Sequence, residues 1–140
     1  MGFAVILPDM ETQPADSRLI AELGAELRLL LPIAMADGAL HARERTMLER
    51  YIAARAKAAY DDAELAAALR WAQADPPTPA QCVDLVSAAV AQRADAIAVL
   101  WEMAQALSEA DGMVTGVETV RLARLKQALD QAAAKGIRDA

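Results

Sequence analysis

From Leu19 onward, apolar residues recur three and four positions apart, a pattern that predicts helices almost end to end. Leu19, Leu23, Leu27, Leu30 and Ala34 share one face of a first helix, capped by Asp16 or Ser17 and running to about Met35. Pro32 removes a backbone donor inside this pattern and predicts a kink, or a break just before the next turn. A second helix is expected from about Ala42 to Tyr60, with Met47, Leu48, Tyr51 and Ile52 as its buried stripe. Asp61 or Asp62 caps a third, ending near Ala74 and anchored by Leu65, Leu69 and Trp71. "DPPTP" is a loop, after which Thr78 as N-cap, Pro79 at the first helical position and Gln81 at the third spell a capping box. That fourth helix carries Cys82, Leu85, Val86 and Val90. A fifth begins near Arg93 and passes through Ile97, Leu100, Trp101, Ala104 and Leu107. A last helix runs from about Gly116 to Ala134, with Gly136 as its stop signal. The expected fold is all-α: a compact bundle of about six to seven helices in one domain, 16–136, after an N-terminal extension, 1–15.

The helices are not six independent elements, because the chain repeats itself at an offset of 74. Leu23 pairs with Ile97, Leu27 with Trp101, Ile33 with Leu107, Leu48 with Leu122 and Tyr51 with Leu125. Between these core positions lie two copies of one turn, "ADGALHARE" from Ala36 and "ADGMVTGVE" from Ala110. The repeating unit is therefore helix–turn–helix, and the offset is too long for an ordinary solenoid. Two pseudo-symmetric helical hairpins packed together fit better.

Composition reinforces the fold and narrows the function. Ala supplies 35 of the 140 residues, while aromatic residues are only 4%. Ala favours helix and lets helices approach closely, and few residues favour strands. The net charge of −6 argues against nucleic acid or acidic lipid as a partner. The basic residues between Arg43 and Lys57, and between Arg121 and Arg138, are spread along helices as solvated faces. Cys82 is the sole cysteine, which excludes an intrachain disulfide and reads as a small apolar core residue. The apolar run Phe3–Leu7 is too short to span a bilayer and lacks the features of a signal peptide. The expectation is a cytoplasmic protein whose run docks on the domain, docks on a neighbour or stays disordered.

The repeated turn is where candidate chemistry concentrates. Setting Gly38 or Gly112 at position six of a calcium-binding EF-hand loop puts Leu40 or Val114 at eight and Glu44 or Glu118 at twelve. The front half departs, since position one falls on Ile33 and Leu107, which offer no side-chain oxygen. Helix capping accounts for more. Asp-Gly makes the turn, Thr115-x-x-Glu118 matches a capping box, and His41-x-x-Glu44 is a weaker version. Each cap contributes about 1 kcal/mol. Capping leaves Asp37 and Asp111 unexplained. A pseudo-two-fold would gather Asp37, Glu44, Asp111 and Glu118, and four carboxylates together repel unless they share protons or hold a cation, Mg²⁺ or Ca²⁺ by their oxygen chemistry. His41, the only histidine, reads as a solvent-facing cap. No nucleophile, oxyanion site or phosphate-cradling glycine loop accompanies these acids, so the reading is non-enzymatic.

Two A-D-G turns with an aliphatic residue two places on and Glu seven after the Asp, each between helices of a small acidic protein, resemble the TerB-like tellurite-resistance family. The resemblance covers most of residues 20–60 and 93–130. It implies a helical bundle with an internal two-fold and a bacterial cytoplasmic role in tellurite or wider stress resistance. It also implies protein partners, in a complex at the inner membrane face. The family's acidic turn residues carry over as Asp37, Glu44, Asp111 and Glu118, a metal-responsive set. The chain departs from the family just after the aliphatic position, where it has "HARE" and "TGVE" instead of further acids. Two competing readings are a protein–protein adaptor whose turns are architectural and a Mg²⁺ or Ca²⁺ sensor.

Overall fold

The computed structural model describes residues 18–35, 40–57, 59–74, 76–110 and 116–139, without the side chains of 118 and 136–139. The fold is all-α, with six helices and no strand among the described residues: α1 (Arg18–Ala34), α2 (Ala42–Arg55), α3 (Asp62–Ala74), α4 (Pro79–Gln92), α5 (Ala96–Glu109) and α6 (Gly116–Asp139). The expected N-terminal extension and the Asp16 or Ser17 cap lie outside the described residues.

The core is built around α1. Its expected stripe is buried, but so are Leu29, Leu31 and Ile33 on the other sides. More than one side of α1 is covered because it lies against α3, α4, α5 and α6. The enclosing helices bury small residues among their leucines: Ala68 and Ala72 from α3, Ala89 from α4, Ala96 and Ala104 from α5, Ala128 and Ala132 from α6. This is the structural use of the alanine-rich composition. α3 comes close to α1 at Gly24, where a Cβ would stand 3.0 Å from Trp71 Cζ3 and 3.1 Å from Ile20 Cγ2. α2 is held through the buried side chains of Leu48, Tyr51 and Ile52.

Where local signals start a helix, the structure follows them. The Glu64 N–H donates to Asp61 Oδ1 at 2.8 Å, making Asp61 the cap of α3. The Gln81 N–H donates to Thr78 Oγ1 at 3.2 Å and the Thr78 N–H to Gln81 Oε1 at 2.9 Å, closing the capping box of α4. α1 runs on through Pro32 to Ala34. Three helix ends differ from expectation. α2 stops at Arg55, not Tyr60, because tertiary bonds take over its last backbone groups: Arg93 Nη2 donates to the Arg55 carbonyl at 2.7 Å, and the Lys57 N–H donates to Glu22 Oε2 at 2.7 Å. α5 starts at Ala96 rather than Arg93, because Arg93 is the C-cap of α4, its N–H bonded to the Ala89 carbonyl. α6 continues through Gly136 to Asp139, because Gly permits a left-handed stop without enforcing one.

Candidate functional site

The end of the molecule that carries the two turns is organised by α2 and α6, the helices that leave them. At the first turn the Glu44 carboxylate accepts the His41 N–H at 3.1 Å, and Glu44 is only 5% exposed. Glu44 is thus a helix cap, as the weaker box predicts, with His41 exposed at the N-cap position. Leu40 packs against the core, as its position two past the Gly suggests. Asp37, Gly38, Asp111, Gly112 and Thr115 lie outside the described residues, and of Glu118 only the backbone, in the first turn of α6, is described.

The helices that flank the two turns are tied together by a pair of arginines. Arg43, in the first turn of α2, donates through Nη1 to the carbonyl of Ala110, the residue before Asp111. Arg121, near the start of α6, donates through Nη1 to the carbonyl of Pro32, near the end of α1. Each helix that follows one turn therefore satisfies a carbonyl at the end of the helix that precedes the other. Such carbonyls lie in the last turn and have no partner within their own helix, and the negative end of the helix dipole favours a cation there.

Oxygen-rich turns would suit Mg²⁺ or Ca²⁺. Among the described residues no group of three or more His, Cys, Asp or Glu side chains could hold a metal ion. Glu44, the one tentative ligand whose side chain is described, is committed to the His41 N–H. Holding a cation would require it to release that bond.

A second polar cluster lies in the interior, unanticipated in the sequence. Glu26 of α1 is 1% exposed. Its Oε1 accepts from the Tyr51 hydroxyl and from Arg55 Nε, the latter at 2.9 Å. Arg93 Nη2 donates to Glu22 Oε2 at 2.5 Å, and its Nε faces Glu26 Oε2 at 3.9 Å. Those last two atoms are buried without a hydrogen bond, so they are held as an ion pair only. Arg55 Nη2 reaches on to the exposed Asp95 at 3.3 Å. The cluster cross-braces α1, α2 and the α4–α5 connection. Burial first, then the bond to Glu26, push the Tyr51 phenol well above the ordinary tyrosine range. The sequence signal was available: Glu26 lies three residues from Leu23 and four from Leu30, on the apolar face itself, where a carboxylate needs a partner.

Two large apolar side chains stand out at the turn-bearing end. Val117 and Val120, on the first turns of α6, are 47% and 51% exposed. Compared with family models, curated proteins and solved structures, the chain matches none.

Proposed function

We propose that this chain is a non-enzymatic, TerB-like module of tellurite or wider stress resistance that acts by holding a protein partner at its turn-bearing end. The observation that carries the reading is the exposed pair Val117 and Val120, placed directly after the second A-D-G turn. Three positions apart on a helix, they share one face. The arginine braces from Arg43 and Arg121 give that face a firm base. Among the described residues no helix is long and apolar enough to cross a membrane, so attachment to the inner membrane face would come through the partner.

The test is tolerance of tellurite in cells. Deleting the gene is expected to lower it, and the unaltered chain to restore it. A chain with Val117→Ser and Val120→Ser should fold within about 0.5 kcal/mol of the parent, because both positions are exposed, yet fail to restore tolerance. Unchanged tolerance after deletion, or full rescue by the double variant, contradicts the proposal.

A second reading, a Mg²⁺ or Ca²⁺ sensor, draws on the same joining of the turns, since a shared site requires the acids of both. On that reading millimolar ion shifts the amide resonances of both turns, and Asp37→Asn or Asp111→Asn abolishes the response. A spectrum unmoved by either ion removes it.

A further inference from the structure

On the side of α1 toward α6, a cavity of about 300 Å³ opens between the end of α1, α3, the α3–α4 loop, α4 and α6. Leu29, Leu31 and Leu125 form its floor, all nearly fully buried, and Pro76 and Pro77 stiffen one rim. Arg121 and Arg124 stand at the cavity three positions apart on α6. Arg121 uses one nitrogen on the Pro32 carbonyl, and its guanidinium has further donors to offer. Arg124 is exposed and makes no ion pair or hydrogen bond among the described residues. Among the described residues no Asp or Glu lines the cavity, in a chain where acids outnumber bases 20 to 14.

We propose that this cavity binds a short aliphatic carboxylate, its chain on the leucine floor and its carboxylate on Arg124 and Arg121. Three observations choose that chemistry. A partly apolar chamber whose described lining holds two cations and no acid selects one anionic group on an apolar body. Among the described residues no Phe, Tyr or Trp lines it, so nothing described there favours a planar ring by stacking. The volume stands at the small end of ligand pockets, which begin at about 300 Å³, and so admits one short chain rather than a lipid. A guanidinium matches a carboxylate in two parallel hydrogen bonds, which fixes the head group while the floor accepts any saturated chain that fits.

Cys82, half-buried and part of the cavity wall, provides the readout. Burial raises its thiol pKa against the pull of Arg28 and Arg124, so it reacts slowly with a disulfide reagent to begin with. The experiment follows the rate of Cys82 labelling in the full chain against octanoate, octanol and acetate. Octanoate is expected to slow labelling at lower concentration than octanol, and acetate to have no effect. Arg124→Gln should weaken octanoate by about tenfold, the scale of a lost charged hydrogen bond, and leave octanol unchanged. Equal protection by octanoate and octanol, or none by either, overturns the proposal. So does protection by octanoate that emerges only once residues 1–15 are removed, because the cavity is then the seat of the chain's own Phe3–Leu7 run.

Discussion

Glu26→Ala is expected to cost about 3–5 kcal/mol of folding stability, the range for removing one partner of a buried ion pair. The loss is not mainly that of a favourable contact. Arg55 and Arg93 have side chains that are each 11% exposed, and without Glu26 they keep the cost of leaving water with less to offset it. The Tyr51 hydroxyl loses its acceptor as well. The Arg55–Asp95 arm offers little compensation, because the Asp95 side chain is 64% exposed and its pairing is weakened by solvent. A lower urea midpoint at unchanged slope would register the effect; a midpoint within about 0.5 kcal/mol of the parent would contradict the role given to the cluster. The same cluster sets an alkaline limit. The folded chain keeps Tyr51 protonated above the pH at which an unfolded tyrosine ionises. Its stabilising effect is therefore complete below the ordinary tyrosine range and is lost as pH rises beyond it. The alkaline fall in stability should be shallower in Tyr51→Phe, which has no phenol to ionise.

The second large effect is expected at Leu30→Ala, about 2–5 kcal/mol. Leu30 is fully buried on the helix that the others surround. Leu30 belongs to the main core cluster, whose packed neighbours relax only partly into vacated space, so the cavity contribution stays high. The same measurement on Val117→Ser gives the contrast: its exposed side chain should cost almost nothing. A Leu30→Ala midpoint indistinguishable from that of Val117→Ser would mean that α1 is not the centre of the core.

Elements were legible in the sequence wherever their cause was local. Thr78, Pro79 and Gln81 specify the start of α4 within four residues, and Asp61 does the same for α3. The spacing of Leu23, Leu27 and Leu30 specifies a buried face. It does not reveal that Leu29 and Leu31 are buried too, because enclosure depends on which helices arrive from elsewhere. The end of α2 was misplaced for a related reason. "AARAKAAY" has helical propensity throughout, and bonds from Glu22 and Arg93, both remote in sequence, decide that the helix stops at Arg55. Glu44 as a cap could be read from its three-residue spacing to His41. The Arg43–Ala110 brace could not, since the repeat suggests that two turns exist but does not say which side chain crosses between them. Glu26 is legible only in part: it is a charged residue on an apolar stripe, but its partners come from two other places in the chain.

The helices flanking the two duplicated turns are braced to one another at one end of the molecule. The amide NMR spectrum of Arg43→Ala tests this most directly. Removing the guanidinium from the Ala110 carbonyl should shift amides on both sides, in residues 40–46 and in residues 109–113, although the two stretches are far apart in sequence. Shifts confined to α2 and the first turn, with the spectrum around Ala110 unmoved, would show that the turns do not meet and would remove the basis for a shared working face.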